Sequence, residues 1–205
     1  MAITTYAELK TVIADFLNRD DLTSAIPNFI DLAEAQMQRE IRHYKMMQRS
    51  TAPIDTRYSA LPSGWLETIR FHITGTESQR LELTSMDDML QLRTKDDTVG
   101  KPTHYAHIGA SLEVYPTPDE AYTAELLYYE KLPALSDSNT SNWLLQQAPD
   151  AYLYGSLLQS APYLRDDARA QVWTSFYAGA VASVNNESDR ARFGGSGMRM
   201  RINSY

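Results

Sequence analysis

Three pairs of adjacent carboxylates are the side chains whose type and spacing come nearest to a catalytic arrangement. A glycosidase needs only two carboxyl groups, one of which must be held protonated, to cleave a sugar linkage. The pairs are Asp87 with Asp88, Asp96 with Asp97, and Asp119 with Glu120. A catalytic acid needs a buried, apolar setting to raise its pKa, and all three pairs lie in polar stretches typical of loops or helix caps. These settings disfavour catalysis, so a cell-wall hydrolase that uses a carboxylate pair is kept only as the alternative hypothesis.

The four histidines do not have the spacing of a metal site. They are His43, His72, His104 and His107. His104 and His107 are three residues apart in a predicted strand, where that spacing directs side chains to opposite faces. The chain has no cysteine and no HExxH motif, and it contains no P-loop, G-x-G-x-x-G or G-x-S-x-G motif. We therefore predict no catalytic residue, no metal and no cofactor.

Tyrosines gather in the middle of the chain and could stack on nucleobases or sugars. They are Tyr115, Tyr122, Tyr128 and Tyr129. Lys131 is the only basic residue close to them in sequence, so the pattern favours core packing and a protein interface. A nucleic-acid-binding module remains a third, weaker hypothesis, because it would need steep salt dependence from few basic groups.

The last thirteen residues form the most distinctive segment. Three glycines at positions 194, 195 and 197 disfavour a helix. Beyond them Met198, Met200 and Ile202 alternate with Arg199 and Arg201, which is the period of an extended strand. Such an arm could add a strand to a partner sheet or lie in a partner's groove, although a frayed terminus would have the same composition.

Helical patterns occur at the two ends of the chain. Thr5 and Glu8 predict a capping box for a helix over residues 5–17, and Pro27 is a favourable first-turn residue for a second helix. Helical patterns return at Trp143, break at Pro162, and end with a long helix over residues 165–186. In that last helix we predict an apolar stripe and a smooth surface for close packing. The stripe comprises Ala168, Val172, Phe176, Ala180 and Val184, and the smooth surface comprises Ala178, Gly179 and Ala180.

The region between these helices has the alternation and turn residues of short strands. Strands are predicted over residues 66–73, 81–83, 105–108, 112–115 and 121–129, with a short helix capped by Ser85. The predicted fold class is α+β, mainly α, with a four-helix core, an inserted small antiparallel β module and an extended C-terminal arm. The predicted boundaries are 1–45 and 142–189 for the core, 46–135 for the insertion, 136–141 for a linker and 190–205 for the arm.

Composition and charge restrict the possible partners. The chain has 205 residues and a formal net charge of −7, yet it carries four arginines and no carboxylate from Arg190 onwards. An acidic body disfavours tight nucleic-acid binding, and the basic end suits an acidic patch on a protein. No apolar run is long enough to span a membrane and no signal peptide is evident, so we expect no membrane partner.

The ordered set of segments resembles the head-to-tail adaptor proteins of tailed bacteriophages, of the head-completion or gatekeeper (tail tubular) type. Residues 6–10, 30–42, 61–67, 143–145 and 149–157 carry this resemblance, followed by the long helix and the basic, glycine-rich tail. The resemblance implies a structural protein of the virion that is not an enzyme. It would reside at the head-tail junction, after assembly in the host cytoplasm.

The resemblance also implies particular partners. We expect copies of the chain to form a ring, with twelve-fold symmetry, between the portal protein and a tail or nozzle protein. DNA would pass through the ring during ejection without sequence-specific binding, and an acidic channel would let it slide. The arm that grips the portal would comprise Phe193, Met198, Arg199, Met200, Arg201, Ile202 and Tyr205.

Overall fold

The computed structural model describes residues 3–75, 77–164 and 167–194, and these fall into two compact units. One unit, here the helical unit, comprises residues 1–46 and 132–205, so far as they are described. The other, here the sheet unit, comprises Met47–Lys131. The sheet unit is thus inserted in the chain between the two segments of the helical unit.

The described residues contain six α-helices, of which α3 belongs to the sheet unit. They are α1 (Tyr6–Leu17), α2 (Ile26–Glu40), α3 (Met86–Lys95), α4 (Trp143–Gln147), α5 (Pro149–Leu164) and α6 (Asp167–Phe193). A single 3-10 turn, Tyr44–Met46, follows α2 in the described part of the chain. Pro162 lies inside α5, which is helical as far as Leu164, so the predicted break at that proline is wrong.

The start of α1 confirms the predicted capping box. The Thr5 hydroxyl accepts a hydrogen bond from the Glu8 backbone N–H at 3.3 Å, and the Glu8 carboxylate accepts one from the Thr5 N–H at 3.0 Å. These bonds satisfy backbone donors that the first turn of a helix cannot pair internally. One face of α1 is then buried through Tyr6, Leu9 and Ile13.

Helix α5 is the centre of the helical unit, because α1, α2, α4 and α6 all pack against it. Gly155 on α5 allows α2 and α6 to approach this helix closely. A Cβ atom at this position would lie 2.9 Å from Met37 Cε, 3.2 Å from Tyr177 Cε2 and 3.3 Å from Ala33 Cβ. The predicted smooth surface at Gly179 is not in such a contact, since a Cβ atom there would meet nothing within 4 Å.

The buried face of α6 differs from the predicted stripe. The side chains that pack inward are Trp173, Tyr177, Ala180, Val181, Val184 and Ser188. Ala180 and Val184 are buried as predicted, whereas Val172 and Phe176 are 51% and 52% exposed, and the side chain of Ala168 lies outside the described part of the chain. A strict four-residue spacing drifts around a helix of 3.6 residues per turn, so a stripe chosen at that spacing cannot stay on one face.

The sheet unit contains eight strands in two four-stranded sheets. They are β1 (Met47–Ile54), β2 (Tyr58–Ala60), β3 (Trp65–Ile73), β4 (Gln79–Arg80), β5 (Glu82–Leu83), β6 (His104–Ile108), β7 (Ser111–Tyr115) and β8 (Tyr122–Glu130). The first sheet has the order β1-β8-β3-β4 and the second has the order β2-β7-β6-β5. The pairing of β5 with β6 is parallel, and the other ladders are antiparallel.

Sequence patterns predicted β3, β8 and the β6–β7 hairpin, but they missed β1 and β2. Strand β1 is an edge strand whose side chains are mostly exposed and which includes Pro53. Proline cannot donate a ladder hydrogen bond, so it is tolerated at a sheet edge while it hides the strand from pattern analysis. The predicted return strand over residues 81–83 is also wrong, because Gln79–Arg80 pairs with β3 whereas Glu82–Leu83 joins the second sheet.

The sheet unit has a hydrophobic core of its own. Its buried members include Phe71, Ile73, Tyr105, Val114 and Leu126, drawn from both sheets. A smaller cluster attaches α3 through Met89, which packs near Ala106 and Tyr115. Burial of this apolar surface within one unit is the main stabilising contribution to its fold.

The fold class is α+β, and the predicted four-helix core is wrong. Of the described residues 46% are helical and 24% lie in strands. The described part of the helical unit has five helices, and four of them, including the short α4, pack around the fifth, α5, instead of forming a four-helix bundle. Two sheets with one parallel ladder are present in place of the predicted small antiparallel module. The prediction missed them because the edge strands have no periodic apolar pattern.

Candidate protein-interaction site

The predicted portal-gripping arm begins at the end of α6. Phe193 is the last residue of that helix, so the expectation that the helix stops near Asn186 is wrong. Arg190 and Arg192 occupy its last turn, where positive charge favours the negative end of the helix dipole. The other six arm residues lie outside the described residues: Met198, Arg199, Met200, Arg201, Ile202 and Tyr205.

Hydrogen bonds fix the C-terminal half of α6 to the end of α2 and the turn that follows. The Asn185 side chain accepts from the Arg42 backbone N–H at 3.1 Å and donates to the Glu40 carbonyl at 3.2 Å. The Ser188 hydroxyl accepts from the Tyr44 N–H at 3.0 Å. Any segment that continues beyond α6 therefore starts from a firmly held base.

Tyr177 strengthens this attachment one helical turn before Val181. Its hydroxyl donates a hydrogen bond to Glu40 Oε2 at 2.8 Å, and its pKa is raised by burial and by that carboxylate. The sequence analysis did not identify Asn185, Ser188 or Tyr177 as attachment points. Their signal was available, because polar groups at positions 177, 185 and 188 fall on the same face as the buried apolar residues of α6.

A cluster of aromatic rings surrounds the turn after α2. His43 is fully buried, and its ring stacks on that of Trp143 with the centroids 4.8 Å apart. The ring of Tyr44 is tilted relative to that of His43, and their centroids are 4.4 Å apart. Burial lowers the pKa of His43, so the neutral imidazole is favoured. Its Nδ1 accepts a hydrogen bond from the Lys45 N–H at 3.3 Å. This packing gives His43 a structural role.

None of the three carboxylate pairs lies in a buried, apolar site. Their six side chains are all exposed. Asp88 lies in the first turn of α3, where its N–H donates to the capping Ser85 hydroxyl at 3.1 Å and its carboxylate accepts from that hydroxyl at 2.7 Å. Asp119 accepts a hydrogen bond from Tyr122 Oη at 2.7 Å, which raises the pKa of that tyrosine to about 12. The arrangement therefore offers no support for carboxylate-pair hydrolysis.

The buried charges of the sheet unit form a structural network. Glu113 is 2% exposed, and its Oε1 accepts hydrogen bonds from Arg93 Nε at 2.8 Å and Arg57 Nε at 2.7 Å. Arg93 also donates to the Val114 carbonyl and the Thr117 hydroxyl. Hydrogen bonds of this kind compensate the cost of burying both charges, and they hold α3 against β7.

The histidines and tyrosines of the sheet unit do not converge on a ligand site. His104 lies beside Thr103 Oγ1 at 2.7 Å, whereas His107 lies 4.8 Å from the ring of Trp65. Tyr115, Tyr128 and Tyr129 are buried, which confirms their predicted contribution to the core. Over the described residues no group of three His, Cys, Asp or Glu side chains could hold a metal ion. Every helix among the described residues is too short or too polar to cross a membrane.

Comparison with known families identifies the chain. The sequence profile of the SU10 adaptor protein family matches residues 4–201, which is nearly the whole sequence. The chain belongs to this family, and it is accordingly a bacteriophage adaptor protein and a component of the virion. A comparison with curated proteins gives no match. An adaptor family fits a structural protein that contacts other phage head or tail proteins.

Proposed function

We propose that this protein is a structural adaptor that joins the phage portal to the tail or nozzle. Copies of the chain form a ring, with twelve-fold symmetry, and the ring surrounds part of the channel through which DNA leaves the head. The observation that carries this proposal is the match of an adaptor family to almost the full chain.

The C-terminal arm is the proposed portal contact. Its base is the C-terminal half of α6, which Asn185 and Ser188 attach to the rest of the helical unit. The arm residues themselves are Phe193, Met198, Arg199, Met200, Arg201, Ile202 and Tyr205. The apolar side chains of the arm would fill pockets on the portal, and the alternating arginines would pair with acidic groups on the portal surface.

Deletion of residues 194–205 tests this proposal while leaving α6 intact. The truncated chain should fold normally, with an unchanged thermal unfolding midpoint, but should no longer associate with portal rings. Sedimentation velocity of the chain, the portal and their mixture measures the association. Full binding by the truncated chain would contradict the role of the arm.

A pair of charge reversals separates specific contacts from a general loss of positive charge. Arg199→Glu with Arg201→Glu should weaken portal binding strongly, because two counter-charges become repulsive. Arg49→Glu with Arg80→Glu changes the net charge equally at two exposed sites of the sheet unit, outside the arm, and serves as the matched control. Equal loss of binding in both variants would indicate that only net charge matters.

A further inference from the structure

Helix α6 has an uncharged, partly apolar face that the chain itself leaves uncovered. Val172, Phe176, Gly179, Ser183 and Asn186 repeat at spacings of three and four residues, which places them along one side of the helix. All five are exposed. From residue 170 to residue 186 the sequence has no Asp, Glu, Lys or Arg. A solvated helix face normally carries charges, so this face has the composition of an interface.

Gly179 provides an independent reason to expect a close neighbour on this face. Glycine in a helix interior is less favourable than alanine, and the backbone of Gly179 has no positive φ that would require glycine. A Cβ atom there would meet nothing within 4 Å, so no contact within the chain requires glycine either. A helix from another molecule that packs on this side would require it, because small residues allow close backbone approach.

Phe176 is held in its exposed position by α5. The ring of Tyr154 lies 5.0 Å from that of Phe176, centroid to centroid. Phe176 is 52% exposed although its neighbour in the sequence, Tyr177, is buried. The Phe176 ring thus packs on Tyr154 and still remains exposed, as the anchor residue of an interface would.

A complementary surface exists on another edge of the same helical unit. Phe16 on α1 is 51% exposed, and the exposed Asp15, Arg19 and Asp20 lie within four residues of it in the sequence. The face of α6 continues past Asn186 to the exposed Glu187 and Arg190, so both surfaces carry charges of each sign that can pair with one another. Helices α1 and α6 both pack mainly on α5 rather than on each other, so the two surfaces belong to different edges.

We infer that the exposed face of α6 packs against the Phe16 edge of a second copy of this chain. Each copy uses both edges, so the contact is heterologous and repeats around a closed ring. The uncharged part of the α6 face is about 20 Å long. The area that a single helix face of this length can bury is smaller than the roughly 800 Å² per partner of a stable pair. The copies therefore associate firmly only when the ring closes or a partner gathers them. The inference rests on the proposed ring and names its lateral contact.

Cysteine cross-linking tests the contact directly, because the natural chain has no cysteine. Ser183→Cys lies on the α6 face, and Arg19→Cys lies three residues after Phe16, just beyond the end of α1. The two variants are incorporated together into virions and treated with a short bismaleimide, and the products are identified by mass spectrometry. We expect the 183–19 cross-link to exceed the 183–183 and 19–19 products by at least about ten-fold, as a heterologous contact requires. Absence of 183–19, or a majority of like pairs, would overturn the inference.

Substitution of Gly179 separates assembly from folding. Gly179→Ala should leave the unfolding temperature of the isolated chain unchanged or raised, since alanine favours helix. The same substitution should reduce the 183–19 cross-link, and Gly179→Leu should nearly abolish it. Ala178→Leu adds a side chain of nearly the same bulk at an exposed position off this face and should not affect the cross-link. Unchanged cross-linking in Gly179→Leu would overturn the inference.

The outcome also separates this contact from the proposed function. A ring on the portal without the 183–19 cross-link would refute the lateral contact and leave the adaptor function standing. Cross-linking in concentrated free chain with no association with the portal would refute the proposed portal function and support the contact.

Discussion

At the scale of single residues, Glu34 shows how the chain joins distant segments of the helical unit. Its carboxylate is 9% exposed and accepts hydrogen bonds from the Leu135 N–H and the Tyr152 hydroxyl, both at 2.9 Å. Asn142 donates to the Tyr152 oxygen at 2.6 Å. Burial is the main cause that raises the pKa of Glu34, and the two hydrogen bonds only partly offset it.

Glu34→Gln should change how stability depends on pH. Because the folded-state pKa is raised, the folded chain keeps its proton at pH values where the unfolded chain has lost it. The ionised carboxylate is therefore a cost that appears as pH rises above the unfolded pKa. The free energy of unfolding of the wild type, relative to Glu34→Gln, should fall as pH rises from about 4, near the pKa of an unfolded glutamate, through the folded-state pKa.

Urea denaturation of both chains across this pH range measures the difference. Asp137→Asn provides a control in which a carboxylate is replaced at a side chain that is 89% exposed. A wild-type advantage over Glu34→Gln that grows with pH would contradict the assignment of a raised pKa to Glu34.

At the scale of elements, the helical unit depends on how closely α5 approaches α2 and α6. The missing side chain at Gly155 brings the helices together over Met37, Ala33 and Tyr177. Protein interiors are packed so densely that even one added methyl group must displace its neighbours. Gly179 on α6 has open space instead, so Gly155 and Gly179 have opposite surroundings.

Gly155→Ala and Gly179→Ala form a matched pair that isolates this packing. Both substitutions gain the same helix propensity, but only the Cβ atom at position 155 meets other atoms. We expect Gly155→Ala to be less stable than Gly179→Ala by about 1–3 kcal/mol. Chemical denaturation of the two variants gives this difference. Equal stabilities would show that Met37 and Tyr177 move aside freely.

At the scale of the whole molecule, the sheet unit has the features of an independently folding domain. Its hydrophobic core is made from its own strands, and its buried ion pairs are internal. The chain enters at Met47 and leaves at Lys131, and Met47 pairs with Tyr129 across β1 and β8. Chain ends that lie close together are what an inserted domain requires.

Residues 47–131 expressed alone should therefore fold. We expect strand-rich circular dichroism, dispersed amide resonances and a cooperative thermal transition. The remaining helical unit, with residues 46 and 132 joined by a short Gly-Ser linker, should keep its helical spectrum. Disorder of residues 47–131 in isolation would show that the helical unit is needed to complete the sheet unit.

Local physical chemistry explains which predictions were confirmed. The capping box of α1, the Ser85 cap of α3 and the β6–β7 hairpin each depend on residues within a few positions of one another. Such patterns satisfy backbone hydrogen bonds locally, so they can be recognised without knowledge of the remaining chain. The adaptor family was likewise indicated by the order of segments along the chain.

Errors arose where long-range contacts decide. Strand β1 forms because β8 offers a free edge, although Pro53 and its exposed side chains would not predict a strand. The side of α6 that is buried depends on where α5 lies, and four-residue spacing was a poor guide to it. The attachment of α6 through Asn185 and Ser188 joins positions more than a hundred residues apart.

The sequence by itself determined the helix starts, the main hairpin, the acidic body with a basic end, and the class of protein. Each of these depends on residue types that act alone or with near neighbours. Only the tertiary structure decided the number and order of strands, the central position of α5, the close approach at Gly155 and the exposed face at Gly179. These features depend on burial and packing between distant segments, because the same side chain stabilises a core or an interface according to what lies opposite it.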